Sequence, residues 1–464
     1  MANILLVSAN RESMPYPVFP LGVAYVESAL AAAGHATAVF DANCHDPADA
    51  PAALAALAER LAPDLVGLSI RNIDNLTYPT SVSYLDDIRR LAESARLAAP
   101  RAPLLLGGAG YSLFPEETLA ALDADAGLIG EAEARLPAAI DALLERAPLD
   151  AVGGLVYRDR GGLRRTRPPT PAELRFPPEP PRRAGLDLAF YDRQGGMGNV
   201  QTKRGCPFHC SYCTYPLLEG HRFQVRPAER VADEVESLAA GHGVDYLYFV
   251  DNYFNHPIEH AEAVCRALTR RRLQVRWSCF AHPAHVTPAL AETMRRAGCS
   301  AVELGTDAGS PAMLRSLNKE MTPDQILAAS RACRDAGLPF AHYLLLGGPG
   351  ETDRTLAETF DLMDRCEPTA VIVMCGIRIY PGTPIERQAR AEGLVRPGAS
   401  LLEPRFYLSP AVRATLLDRV AEAAAHRPHW IVPGLAINLS PRLMQFLRAR
   451  GHKGPLWELL ADRK

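Results

Sequence analysis

The sequence predicts an α/β protein in two layers of organisation: a doubly wound, Rossmann-like parallel sheet, then a partial (βα)6 barrel of the TIM type, with a small mixed C-terminal region after it. Three observations predict this. Residues 1–150 alternate short apolar runs of strand length with segments of helical period. A second alternation of the same kind runs from near Gln201 to near Tyr380. Between them the chain turns aperiodic, basic and Pro-rich, with Arg164-Arg165, Pro168-Pro169 and prolines from Pro177 to Pro181, which reads as an extended linker. The expected divisions are 1–150, a linker over 151–196, a barrel over 197–390 and a C-terminal region over 391–464.

In the first series Asn3–Val7 is an apolar strand and Leu21–Ala33 a helix stopped by Gly34. Thr37–Asp41 is the next strand and Ala52–Leu61 the next helix. Leu65–Ile70 is a buried-type strand that runs into the polar Arg71-Asn72-Ile73-Asp74-Asn75, and Tyr84–Ala98 is helical. Leu104–Leu106 leads into Gly107-Gly108-Ala109-Gly110; Leu128-Ile129 precedes Gly130-Glu131 and the helical Leu136–Leu144. After a first strand near Gln201, the second series places strands at Tyr246–Val250, Gln274–Phe280, Ala301–Leu304, Phe340–Leu346 and Ala370–Cys375. Helical patterns such as Pro227–Ala240, Pro288–Ala297, Pro323–Ala336 and Asp353–Cys366 lie between them. Beyond the barrel, Ser409–His426 and Pro441–Arg450 read as helices.

Composition narrows the class. With 48% hydrophobic and 22% charged residues, the 464-residue chain reads as globular and as two domains with an appendage. A net charge of −3 does not advertise a nucleic-acid partner and mildly favours a small-molecule substrate. The N-terminus lacks the charged region and apolar length of a signal peptide, and no stretch approaches a membrane span, so a cytoplasmic protein without a membrane partner is expected. In that compartment thiols stay reduced, which argues against reading the ten cysteines as disulfides.

Seven of those cysteines stand singly, but Cys206, Cys210 and Cys213 fall within eight residues, spaced C-x3-C-x2-C. They follow the first barrel strand, on the face where barrel enzymes place their chemistry. Three thiolates can hold three irons of a [4Fe–4S] cube and leave the fourth iron open to a substrate. Zinc is the competing ion, but the spacing lacks paired ligands and a second distant pair. Three small apolar side chains would be out of place in a polar loop bounded by Gly and Pro.

The triplet, with Tyr212 before its last cysteine, resembles the signature of the radical S-adenosylmethionine (SAM) superfamily, and the resemblance extends over about 197–390. Phe249-Val250-Asp251-Asn252-Tyr253-Phe254 resembles the end of the second strand. Gly298 to Ser310, followed by Leu317-Asn318-Lys319, resembles the fourth-strand segment. Leu346-Gly347-Gly348-Pro349-Gly350-Glu351-Thr352 resembles the fifth-strand glycine motif, and Tyr380-Pro381-Gly382-Thr383-Pro384 the closing segment. The resemblance implies that the open iron binds the amino and carboxylate groups of SAM. It also implies that one electron, from an external donor such as flavodoxin or ferredoxin, yields a 5′-deoxyadenosyl radical. By the same resemblance the segment around Asn252 approaches the SAM amino end, Glu303 bonds the ribose, and Gly347, Gly348 and Gly350 let backbone pass close to the adenosyl part. Asn252 also reads as a simple turn residue. Asp307 stands where many relatives carry Glu, and no ligand role is assigned to it.

The first 145 residues resemble the cobalamin-binding domain that precedes the barrel in many such enzymes. Pro20 to Tyr25, Asp64 to Ser69, Gly107-Gly108 and Gly130-Glu131-Ala132-Glu133 carry that resemblance. It implies that Ser69, Gly107 and Gly108 accommodate the dimethylbenzimidazole tail and that the corrin lies on the strand ends. Gly130 and Glu131 belong to the same expected binding surface. The D-x-H-x-x-G motif of other cobalamin domains is absent, since Asp41-Ala42-Asn43-Cys44-His45 does not match it. Cobalt would then lack a protein ligand, with Arg71 as the candidate beneath it; a guanidinium cannot ligate. A surface-loop arginine, and a domain that no longer binds cobalamin, are the alternatives.

The expected activity is a cobalamin-dependent radical SAM methyltransferase acting on an unactivated carbon of a small metabolite, through a 5′-deoxyadenosyl radical and methylcobalamin. Rearrangement, cyclisation or ring contraction on the same cofactors, and a non-catalytic corrinoid or iron–sulfur module, are the other classes. No proton acceptor can be assigned. Glu403 to Tyr407 and Trp430 read either as substrate contacts or as core.

Overall fold

The structure, a computed structural model, describes residues 1–463 apart from 145, 178, 196 and 439. It forms two compact units: residues 1–75 with 83–191, and residues 76–82 with 192–464.

The first unit is built on a seven-stranded sheet. Its strands are β1 (Asn3–Ser8), β2 (Ala36–Asp41), β3 (Leu65–Ser69), β4 (Leu104–Gly107), β5 (Ala126–Leu128), β6 (Leu155–Asp159) and β7 (Gly162–Arg165), in the spatial order β2-β1-β3-β4-β5-β6-β7. The first five are parallel. Order 2-1-3-4-5 reverses direction between β1 and β3, and the crevice at such a switch point is where open α/β sheets bind ligands. Alternation along β1 separates the two faces. Ile4 and Leu6 join a core with Val23 and Leu30 of α1 (Leu21–Ala32) and with Leu136 and Ile140 of the helix Leu136–Leu143. The helices Ala50–Leu61 and Leu85–Ala98 pack on each other. Both faces are thus covered by helices, as a doubly wound sheet requires.

The expected linker departs from its reading at its start. Residues 155–165 form the antiparallel β6–β7 hairpin, which extends the sheet beyond β5. Leu155 and Val156 are buried, and the Asp159 carboxylate accepts the Gly161 N–H (2.7 Å) across the turn. The two buried residues are too few to show as an apolar run beside Arg158, Arg160, Arg164 and Arg165.

The second unit carries seven parallel strands: β8 (Gly198–Val200), β9 (Tyr246–Phe249), β10 (Arg276–Ala281), β11 (Cys299–Asp307), β12 (Phe340–Leu346), β13 (Ala370–Cys375) and β14 (Trp430–Ile431), side by side in chain order. Six match the expected series. The seventh, β14, comes from the C-terminal region and pairs with β13 through Val371–Trp430 and Ile372–Ile431. Helix starts follow local chemistry: Thr322 and Thr352 each form a capping box with the residue three further on. The helix expected from Ser409 begins only at Leu416. Ser409 is held elsewhere, its N–H donating to the Gly347 carbonyl and its hydroxyl to the Glu351 carbonyl, each at 2.8 Å. Ala301, Ala341, Ala370 and Ile372 pack with Trp457 of the C-terminal 3-10 segment Leu456–Arg463. Among the described residues no helix is long and apolar enough to cross a membrane.

Candidate functional site

The cysteine loop is built from its base upward. Lys203 and Arg204 pair antiparallel with Val225 and Gln224, which pins the two ends of the loop together. Asp251, just beyond β9, ties that base down: it accepts from the Thr202 N–H (2.7 Å), the Thr202 hydroxyl (2.5 Å) and the Lys203 ammonium (3.1 Å), all buried. Gly205 then turns the chain at φ +89°, where a Cβ would lie 2.2 Å from the Arg222 carbonyl oxygen, so only glycine fits. Cys206, Cys210 and Cys213 follow, packed together with Phe208, Tyr212 and Tyr253. The Leu317-Asn318-Lys319 segment clamps this loop from above: the Ser211 N–H donates to the Leu317 carbonyl (3.0 Å) and the Asn318 amide to the His209 carbonyl (2.7 Å).

Burial, with the like charge of neighbouring thiolates adding to it, pushes the Cys206 thiol up to about 11 and the Cys213 thiol up to about 12; Cys210 is raised by burial as well. Lys319 works against this at all three. The bare thiols therefore hold their protons at neutral pH, and a metal must displace them. Among the described residues no three His, Cys, Asp or Glu side chains are arranged around a single ion. A cube takes each thiolate on a different iron, which three grouped thiols can supply.

Around the loop lies a buried polar network. The Lys319 ammonium donates to Asp307 (2.7 Å), the Gly305 carbonyl (2.9 Å) and the Tyr253 hydroxyl (3.1 Å). Burial opposes its charge, but Asp307 beside it holds the ammonium well above its usual range. Tyr212 also donates its hydroxyl to Asp307. Asn252 directs its amide nitrogen to the Gly205 carbonyl and the Glu219 carboxylate, both at 3.2 Å. Its carbonyl oxygen is left buried and unpaired, an acceptor open to a donor from outside the chain. Glu303 is placed differently from Asn252. It is buried and accepts from Tyr343 (3.0 Å) and the Trp457 indole (3.1 Å) on Oε1 and from Tyr248 (2.6 Å) on Oε2, which leaves one acceptor position on Oε2.

The glycine motif ends β12. A Cβ on Gly347 would meet Leu416 at 2.9 Å, and one on Gly348 would press Ile377 and Leu317 at 3.1 Å, while Gly350 at φ +80° has open space. The smallness of the first two serves close packing of this chain's own side chains. Trp430 is fully buried in β14 against Phe360, and Tyr407 is buried with its hydroxyl on Glu392 (2.6 Å), so both are core residues.

In the first unit an apolar cavity of about 60 Å3 opens beneath the ends of β1, β3 and β4. Ser69, Gly107 and Gly108 line it together with Leu6, Gly67 and Leu105. Gly108 lies at φ +94°, with the Ile70 carbonyl oxygen 2.5 Å from where a Cβ would stand. Gly130 and Glu131 lie in the loop after β5. That loop is organised by a buried arginine, Arg135, which donates to the carbonyls of Ile129 (2.7 Å), Glu131 and Gly153. Arg71 is exposed just past β3.

Residues 200–363 match the model of the radical SAM superfamily, and residues 7–140 match the B12 binding domain. The chain carries a radical SAM domain behind a B12 binding domain. More fully, it is a radical SAM enzyme with a B12-binding domain ahead of the barrel, and its cofactors are SAM, a [4Fe–4S] cluster and cobalamin. Over 401 residues it is 27% identical to an uncharacterized methyltransferase of Pyrococcus horikoshii, covering 85% of this chain and 84% of that one. It is 26% identical to the tryptophan 2-C-methyltransferase of Streptomyces laurentii, covering 82% and 73%. Its fold is that of the radical SAM methyltransferase TsrM from Kitasatospora setae, solved with cobalamin and a [4Fe–4S] cluster bound (TM-score 0.87, 24% identity, 99% and 97% covered).

The residues present fit these groups. Three grouped thiols suit the cluster, the unpaired Asn252 oxygen can accept from the SAM ammonium, and the apolar lining under the β3 and β4 ends matches an apolar cofactor tail, although the space of about 60 Å3 must widen to admit a ring. Sequence reasoning missed Asp251, Lys319 and Arg135 as organisers of these sites. Asp251 and Lys319 stand inside recognised motifs and Arg135 just after one, and their charge was the available signal.

Proposed function

We propose that this radical SAM enzyme transfers a methyl group to an unactivated carbon of a small molecule. The carrying observation is the pairing, in one chain, of a cysteine loop suited to an open cluster with a 2-1-3-4-5 sheet that brings Ser69, Gly107 and Gly108 together at its strand ends. The two methyltransferase relatives, each aligned over most of both chains, support methylation over a rearrangement. When bound, cluster and SAM supply a 5′-deoxyadenosyl radical, and cobalamin supplies the methyl group.

The chain's own work is binding and orientation. Cys206, Cys210 and Cys213 hold the cluster, with the Gly205 turn and the Asp251 anchor fixing their loop. Asn252 takes the SAM ammonium on its carbonyl oxygen. Gly350 gives the adenosyl part close access to backbone, and Glu303 has an acceptor position left on Oε2 for a ribose hydroxyl. Tyr212 and Lys319 keep Asp307 neutralised beside the thiolates. Ser69, Gly107 and Gly108 take the cofactor tail, with Gly130 and Glu131 at the rim. Arg71, exposed just past β3, would lie against the corrin, where a guanidinium cannot ligate the metal. The electron comes from an external donor such as flavodoxin or ferredoxin, and the enzyme works in the cytoplasm, where the cluster thiols remain reduced.

Incubation of the reconstituted enzyme with methyl-labelled SAM and candidate small molecules tests the reading. Label in a product carbon is expected. Production of 5′-deoxyadenosine without label transfer would overturn methylation and leave a rearrangement or cyclisation. For Arg71, the Arg71→His variant is expected to show a new axial ligation in its cobalamin absorption spectrum; a spectrum identical to the wild type removes Arg71 from that position.

A further inference from the structure

His282 follows β10 and is 1% exposed. Its backbone is clamped in both directions by one side chain: the His282 N–H donates to the Asn255 carbonyl oxygen (2.8 Å), and the Asn255 amide donates to the His282 carbonyl (2.9 Å). The ring stacks flat on Phe208, the residue midway between Cys206 and Cys210, with centroids 4.5 Å apart and planes 14° apart. It also meets Tyr253 edge-on at 4.9 Å. Both aromatic partners belong to the group packed around the three cysteines.

The tautomer is fixed by the chain. Nδ1 accepts the backbone N–H of Ala284 (3.2 Å), so the proton of the neutral ring is on Nε2. The ring is neutral because burial, with Lys319, His285 and His256 adding to it, pushes its value down to about 2. Nε2–H is then a buried donor, and no acceptor among the described residues takes it. Buried donors are rarely left unmade, because the group gives up water and gains nothing. Phe208 cannot serve: a ring stacked on it keeps its N–H in the ring plane. An aromatic face on the other side is a weak acceptor at best.

We propose that the Nε2–H of His282 donates a hydrogen bond to a sulfur of the cluster held by Cys206, Cys210 and Cys213, and so raises the cluster's reduction potential. This rests on the cluster reading above. Sulfides and thiolates of a cluster are the acceptors brought to this spot when the cysteines are loaded, and a donor to them favours the reduced, more negative state. The clamp and the stack hold the donor in place before the electron arrives, which makes His282 a positioning and tuning residue.

The test uses the full chain with its cluster reconstituted and no SAM added, titrated against potential and followed by electron paramagnetic resonance. His282→Phe keeps the stack and removes the donor; His282→Gln keeps a donor nitrogen near the position of Nε2. His282→Phe is expected to lower the reduction equilibrium constant about tenfold, about 59 mV for one electron, and His282→Gln to recover most of it. An unchanged potential in His282→Phe at equal iron content overturns the proposal, as does a shift seen only with SAM present, which would make SAM the acceptor. If His282→Phe takes up no cluster, the wild type decides: pulsed resonance with 15N-labelled histidine is expected to show a coupling to the reduced cluster, and its absence overturns the proposal. Failure of the wild type to bind iron at all would strike the cluster reading instead.

Discussion

Lys319 and Asp307 show how a single pair fixes the surroundings of the cysteine loop. The Lys319 side chain is wholly buried and that of Asp307 is 11% exposed, so neither charge is relieved by water. Removing one partner strands the other. Lys319→Met is expected to destabilise the chain by about 3–5 kcal/mol, measured by denaturant unfolding without cofactors; a loss within the scatter of surface substitutions would mean that water reaches Asp307. Glu351, which accepts from the Gly347 N–H (3.3 Å) and from Thr355, is a second residue with a measurable signature. Burial pushes its carboxyl from 4.5 up to about 7. The folded state then holds this proton more tightly than the unfolded one, so its stabilisation is full below pH 4.5 and is lost as pH rises towards 7. Relative to Glu351→Gln, the wild type is expected to lose about 3 kcal/mol across that window, and parallel pH–stability curves for the two would contradict it. The three cysteines were legible because their ligand chemistry is written in adjacent residues. Asp251 and His282 were not, because their roles come from Thr202, Asn255 and Phe208, which lie 27 to 74 positions away and are joined to them only by the fold.

Among the elements, the cysteine loop and the helices around it make opposite demands on glycine. Gly205→Ala forces a Cβ against the Arg222 carbonyl at positive φ, and the whole loop must shift. The expected result is a soluble chain with a markedly lower iron content after reconstitution; full iron content would show that the turn is not what sets the loop. Gly241, in the helix Ala228–His242, has open space where a Cβ would stand. Gly241→Ala is expected to stabilise by about 0.5–1 kcal/mol, read from the unfolding midpoint. Long periodic elements such as Pro323–Asp335 and Asp353–Cys366 could be read from sequence to within a residue, because apolar period and Thr caps agree. The β6–β7 hairpin and the two-residue strand β14 could not. Each is too short for a period, and β14 exists because Val371 and Ile372 offer a sheet edge for Trp430 and Ile431.

At the scale of the molecule, one chain joins a switch-point sheet to a barrel-type series of parallel strands, and each carries the residues proposed above to hold a cofactor: Ser69, Gly107 and Gly108 around a cavity in the first, the cysteine loop and Asn252 in the second. The order of the two halves was legible, since each repeats strand and helix in a readable rhythm. The boundary between them was not, because a hairpin with a basic surface reads as linker until its two buried residues are seen packing on β5. The account stands on the two halves serving one reaction, in which the methyl group of SAM passes to a substrate by way of cobalamin. The most direct measurement needs no substrate: the anaerobically reconstituted enzyme, loaded with cobalamin and reduced, is given SAM with a deuterated methyl group, and the protein-bound cobalamin is then analysed by mass spectrometry. Deuterated methyl on the cobalamin, with S-adenosylhomocysteine in equal amount, is the predicted result; cobalamin that binds but never acquires the label would contradict it.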